Sequence, residues 1–171
     1  MAQTSSPAAS ESTLAATRAP LLDRRAIRAA LAGGLIGGAF DLSYACIMVF
    51  SLRGIGPQRV FQSVASGWLG KAAFDGGWPT ALLGFVSHFF IVCVAALIYV
   101  IASRRIAVLA RRPIVCGALY GAGIYFAMNY VIVPLSQATI RHTFNLLMVA
   151  ELLVHMFLVG ATIALFARRA S

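Results

Sequence analysis

The sequence predicts an all-α membrane protein: four transmembrane helices arranged as two parallel hairpin repeats, with a short interfacial helix in the first outer loop. Three observations predict it. The chain is 60% hydrophobic and only 11% charged, with a mean hydropathy of +0.85, whereas a soluble domain carries about 25% charged residues. Four apolar stretches reach the roughly 20 residues that a helix rising about 1.5 Å per residue needs to cross the hydrocarbon layer. The basic residues stand in short clusters between these stretches, as in proteins that fix their orientation in a bilayer. The same placement argues against nucleic acid as a partner despite a net charge of +9, because a nucleic-acid surface gathers its basic residues on one folded face.

Residues 1–24, opening "MAQTSSPAASESTLAATRAP", are rich in Ala, Ser, Thr and Pro and lack the compact apolar core of a signal peptide. They are expected to form a disordered cytoplasmic tail. A four-span membrane domain is expected over 25–169, with spans at about 27–51, 80–102, 114–136 and 146–167. Arg18, Arg24, Arg25, Arg28, Arg104, Arg105, Arg111, Arg112, Arg168 and Arg169 put ten basic residues on one side; Arg53, Arg59, Lys71 and Arg141 put four on the other. The positive-inside rule then places both termini in the cytoplasm. An even number of spans requires the termini to share a side, so the two arguments agree.

The outer loop between the first two spans has its own pattern. Over residues 57–70, Val60, Val64 and Trp68 recur every four residues with Phe61 and Leu69 beside them, while Gln58, Arg59, Gln62, Ser63 and Ser66 fall largely elsewhere. This suits a helix at the membrane surface, serving as a lid or as a docking surface for a membrane-protein partner. Cys46, Cys93 and Cys116 all lie inside apolar segments, form no CxxC pair and imply no disulfide framework.

The sequence also repeats itself. "HFFIVCVAALIYVIASRR" from His88 matches "HMFLVGATIALFARR" from His155, and "GGLIGGAFD" from Gly33 matches "GALYGAGIY" from Gly117. Two hairpins of the same orientation would be related by an axis along the membrane normal. Gly34, Gly37 and Gly38 in the first span, and Gly117 and Gly121 in the third, are candidate packing seams, because small residues let helix backbones approach closely in lipid.

Five polar side chains interrupt the apolar runs. Asp41, His88, Asn129, Glu151 and His155 lie about 8–15 Å from the outer ends of their spans at the helical rise, so each helix contributes at least one to a single layer. A charged group at a helix centre costs about 2.5–3.5 kcal/mol on insertion scales and normally turns inward to find partners. Glu151 and His155, four apart, share a helix face. The layer supports several readings: a structural hydrogen-bond network; a site for a proton, ion or small solute, since intramembrane carboxylates and histidines form proton relays; or a heme or metal site with His88 and His155 as axial ligands across the repeat axis. A protein without such a cofactor and a non-catalytic scaffold also remain open. No phosphate loop, HExxH or GxSxG motif suggests an enzyme. Four short spans leave little room for a wide pore, which is compatible with a homo-oligomer.

The segments "AGGLIGGAF", "RRPIVCGALYGAG…VIVPLS" and "ELLVHMFLVGATIALFARR", spread over roughly 28–169, resemble the bacterial YagU-like family of inner-membrane proteins. Its most distinctive element is Glu-x-x-x-His before a terminal Arg-Arg, matched by Glu151, His155, Arg168 and Arg169. The resemblance implies an inner-membrane location and supplies no mechanism. The outer loop, with Trp68, Asp75 and Trp78, departs from the family pattern.

Overall fold

A computed structural model describes residues 22–138 and 146–170. The described residues are all helical or in short connections, without strands. The expected tail, up to residue 21, and Arg141 in the second outer loop lie outside them. Four helices are long and apolar enough to cross a membrane: α1 over Arg24–Arg53, α3 over Gly77–Ser103, α5 over Pro113–Leu135 and α6 over Leu146–Arg168. Between α1 and α3 lies α2, Pro57–Leu69, followed by a 3-10 turn over Gly70–Phe74. A short α4, Ala107–Arg111, joins α3 to α5.

Local chemistry sets the boundaries. Asp23 caps α1 by accepting from the Ala26 amide at 2.7 Å, which satisfies one of the free donors at a helix start. Gly54, at φ 65°, ends α1 in the left-handed conformation that glycine adopts without strain. Pro57 and Pro113 open α2 and α5, where a missing amide hydrogen costs nothing.

One end of the bundle is tied by an arginine. The Arg104 guanidinium donates to Asp23 Oδ1 at 2.8 Å and to the Ala170 carbonyl at 2.9 Å. The start of α1 and the ends of α3 and α6 therefore meet at one end, and the four long helices alternate in direction. The Ala26 amide and then Arg104 hold the Asp23 carboxyl below its usual range.

α1 is wedged between α3 and α6, and its glycines divide between them. A Cβ at Gly34 would lie 2.7 Å from Cys93 Cα, and one at Gly38 would lie 3.2 Å from the Phe89 ring, both on α3. A Cβ at Gly33 would lie 3.3 Å from Ile163 Cα, and one at Gly37 would lie 3.4 Å from the Val159 carbonyl, both on α6. α5 and α6 cross on glycines as well: a Cβ at Gly117 would meet the Gly160 carbonyl at 2.6 Å, and one at Gly121 would meet Met156 Cα at 2.8 Å. α5 reaches α3 instead through a long side chain, Tyr120, whose hydroxyl donates to the Ala95 carbonyl at 2.8 Å.

These seams close the Arg104 end of the bundle. Ala26, Ala30, Ala96, Ala164 and Ala167 are buried there around Tyr99, Val100, Val159 and Ile163.

The face that α2 turns inward is mixed: Val60 and Ala65 are buried. Gln62 and Ser66 are buried, whereas Trp68 is 61% exposed. The cause lies on α3: Gly84 has no side chain, so the Phe61 carbonyl and the Ala65 amide pack directly against its backbone. Gln62 then faces α3 and satisfies its amide on the Gly77 carbonyl at 2.9 Å and the Thr80 hydroxyl at 3.3 Å. Trp68 turns its ring outward while its indole N–H donates to Ser87 Oγ at 3.2 Å.

This packing can be tested by substitution. Gly160→Ala would place a Cβ 2.6 Å from the Gly121 amide nitrogen and should destabilise the protein by about 1–3 kcal/mol. Gly123→Ala, with nothing within 4 Å, should be neutral or slightly stabilising; thermal unfolding in detergent compares them. Asp23→Asn keeps a capping side chain but loses the charge opposite Arg104, so it should lower the melting temperature by a few degrees at neutral pH. Because the folded-state pKa of Asp23 lies below the ordinary value of 3.8, its stabilisation is complete above that value and is lost as pH falls through the lower, folded one. The difference between wild type and variant should shrink over that acidic window.

Candidate functional site

Asp41 is the centre of the polar layer. It lies one helical turn beyond Gly37 and Gly38, where α1 is in close contact with both α3 and α6. Each neighbour contributes an imidazole. His88 Nε2 of α3 is 3.9 Å from Asp41 Oδ2, and His155 Nδ1 of α6 is 3.6 Å from Asp41 Oδ1. One carboxylate thus bridges histidines from two other spans, each through a separate oxygen. All three side chains are largely buried, with 12–19% of their surface exposed.

Backbone carbonyls set the proton positions on these rings. His88 Nε2 is 3.0 Å from the Gly38 carbonyl, and His155 Nδ1 is 2.9 Å from the Glu151 carbonyl. A carbonyl oxygen only accepts, so both nitrogens carry hydrogen and donate. The protonated nitrogen of each ring is therefore the one beside Asp41. His155 makes its hydrogen bond to residue 151 through the backbone oxygen of that residue; sequence spacing alone points to the carboxylate.

A cavity of about 720 Å³ opens beside this cluster at the α2 end. Asp41, Tyr44, Asn129, Glu151 and His155 form its polar wall. Four of the five polar residues expected to act together therefore line one space. His88 does not line it and stands behind Asp41, toward Phe89, whose ring packs edge-on to the imidazole at 5.4 Å. The remaining wall is mostly apolar and includes Val64 and Trp68 of α2, Ile91 of α3, and Met128 and Ile132 of α5. The Gln137 amide donates to the Gly67 carbonyl at 3.1 Å, holding the end of α5 against α2 at the rim.

Both helices that bring polar groups from the second half of the chain change their winding here. α5 is π-helical over Met128–Ile132, and α6 over His155–Gly160. Such widened turns are rare and concentrate at functional sites. In α5 the stretch holds Asn129, whose amide donates to the Tyr125 carbonyl at 3.0 Å. In α6 it begins at His155 itself.

Helical spacing offers Tyr44, along with His88 and Asn129, as a partner for Asp41, whereas Tyr125 is not among the expected site residues. Tyr44 lies three residues after Asp41 and lines the cavity, and its buried hydroxyl has no hydrogen-bond partner among the described residues. The Tyr125 hydroxyl is in the same condition, and its ring stands edge-on to His155 at 5.5 Å. The signal is present as helical spacing: Tyr44 from Asp41, and Tyr125 from Asn129. The contribution of α2 to the wall has no sequence signal beyond the helix itself.

The arrangement does not fit a metal porphyrin held between His88 and His155. The Asp41 carboxylate stands between the imidazoles, and the ring nitrogen on that side of each already donates to a carbonyl. Among the described residues no group of three or more His, Cys, Asp or Glu side chains is placed to hold a metal ion. The arrangement can instead exchange protons between a carboxylate and two imidazoles next to a space large enough for a small organic molecule. No protein-family model, curated protein or solved structure matches the chain.

Proposed function

We propose that this chain is a bacterial inner-membrane protein that takes a small solute into the cavity and couples its binding or passage to protonation of Asp41, His88 and His155. The observation that carries the reading is the Asp41 carboxylate shared by imidazoles from two other helices, at the wall of a cavity of about 720 Å³. A purely structural network would have no need of adjacent open space, and unfilled volume in a packed interior costs stability. The resemblance to the YagU-like family supports the inner-membrane location. The arginine distribution supports cytoplasmic termini, with the cavity facing the opposite side.

The reading includes a chain built of two parallel hairpin repeats, α1 with α3 and α5 with α6. The glycine seams support it. Gly34 meets Cys93 five residues after His88, and Gly117 meets Gly160 five residues after His155. Gly38 meets His88 and Phe89, and Gly121 meets His155 and Met156. The equivalence thus pairs Gly34 with Gly117 and Gly38 with Gly121, one residue away from the alignment that the sequence suggests. The halves differ in how they meet, since α1 touches α6 closely while Tyr120 spans the gap from α5 to α3.

The full-length protein reconstituted in vesicles that enclose a pH-sensitive dye tests the function. After an external acid step the wild type should acidify the interior faster than protein-free vesicles do. Asp41→Asn should slow this by about tenfold or more, equivalent to about 1.4 kcal/mol in the barrier. A wild-type rate equal to that of empty vesicles, or an unchanged rate in the variant, would overturn the reading. For orientation, alkaline phosphatase fused after Asp75 should be active and fused after Ala170 inactive; the reverse would invert the topology.

A further inference from the structure

We infer that the Arg104 end of the bundle is a docking surface for anionic phospholipid, centred on α4 and the adjoining end of α6; it is separate from the cavity and stands whatever the cavity holds. The charge count comes first. Ten arginines lie on this side of the chain, against two acidic residues, Glu11 and Asp23. Asp23 is held by Arg104 at 2.8 Å, and Glu11 can neutralise one arginine more, so the surplus stays strongly positive. Arg105, Arg111, Arg112, Arg168 and Arg169 are all exposed, and among the described residues none of them pairs with a carboxylate. Every basic residue of this end is arginine; the single lysine, Lys71, is at the opposite end.

The position of α4 gathers these charges. Arg105 stands two residues before α4, Arg111 ends it and Arg112 follows it, and α4 packs on the end of α6 that carries Arg168 and Arg169. Its inner side is fixed: Leu109 packs against the buried core, and the Leu109 carbonyl accepts from the Tyr99 hydroxyl at 3.2 Å. No residue of α4 is fully buried, and Ile106 and Val108 are exposed. On α5, Val115 and Leu119 are exposed one turn apart and continue this apolar surface along the span. The Arg169 guanidinium lies over the Phe166 ring at 5.4 Å, which uses its face and leaves its N–H edge to donate.

An anionic phospholipid meets both parts of this surface. Arginine holds phosphate through two parallel N–H···O bonds, which lysine does not offer. Headgroup phosphates sit at the depth where a span ends, and each of these arginines is at the end of a span or in the short connection between two. At physiological ionic strength the screening length is about 8 Å, so the adjacent pairs Arg111–Arg112 and Arg168–Arg169 each act together on one headgroup. The acyl chains of the same molecule cover Val108, Val115 and Leu119. A nucleic acid offers the phosphates without those chains, and a neutral lipid offers the chains but leaves the arginine charge uncompensated.

Contact quenching in vesicles of equal phosphatidylglycerol and phosphatidylcholine tests this on the full-length protein. Trp68→Phe and Trp78→Phe remove both native tryptophans, and Val108→Trp puts one reporter on α4; Ile106→Trp serves as a second. Bromine on the acyl chains of one lipid or the other quenches the reporter where that lipid touches it. The relative binding constant should favour phosphatidylglycerol by at least about threefold, and the preference should shrink in about 1 M salt, where the screening length is about 3 Å. Arg105→Gln, Arg111→Gln and Arg112→Gln together should remove most of it. Seven arginines then remain on this side against four basic residues on the other, so the orientation is kept. Arg53→Gln, at the opposite end, should leave the preference unchanged. Equal quenching by the two lipids, or a preference that survives the triple replacement, would overturn the assignment. Equal quenching together with capture of a labelled DNA duplex by the same vesicles would transfer the surface to nucleic acid. Folding of each variant is checked by its melting temperature.

Discussion

A carboxylate placed deep in an apolar helix bundle must find partners, and the rest of this structure is arranged around that requirement. An aspartate at a helix centre costs about 2.5–3.5 kcal/mol on insertion scales. Asp41 meets the requirement with two imidazoles, one from each helix that flanks α1. The glycines of α1 make this reach short. Gly34 and Gly38 admit α3, Gly33 and Gly37 admit α6, and Asp41 occupies the next turn between the two contacts. Packing seam and polar cluster are one device: without the close approach the histidines would not reach the carboxylate.

The bundle is asymmetric along its length for the same reason. At the Arg104 end, alanines and glycines let the backbones close around Tyr99 and Ile163, and an ion pair ties three helix ends together. At the α2 end the helices separate and α2 fills only part of the gap. Its polar edge, Gln62 and Ser66, is turned into the protein because a glycine on α3 allows backbone contact there. The result is a cavity of about 720 Å³ at the α2 end.

The π-helical stretches in α5 and α6 place the remaining polar groups. A widened turn inserts an extra residue into the ladder and rotates the rest of the helix about its axis. Asn129 and His155 sit in these stretches, and α5 and α6 are in backbone contact at Gly121 and Gly160 beside them. The close crossing and the altered winding occur together, so the residues that line the cavity are held by backbone geometry as much as by side-chain packing.

Much of this is legible in the sequence. The four helices come from uninterrupted apolar runs, because hydrocarbon accepts no unpaired backbone group and only a helix of sufficient length satisfies its own. That Asp41, Asn129, Glu151 and His155 share one space is implied by their common depth, since charged and polar groups at that depth turn toward each other. The sequence does not contain the identity of the atoms that pair. The bridging by Asp41, the use of the Glu151 carbonyl by His155, the position of His88 behind the cavity wall and the unpartnered hydroxyls of Tyr44 and Tyr125 depend on how α1, α3, α5 and α6 rotate about their axes. The burial of Gln62 and Ser66 on α2 depends on a glycine some 20 residues away. Depth and periodicity are properties of one helix and can be read from its residues; pairing and cavity shape are properties of several helices in contact, and only the tertiary structure decides them.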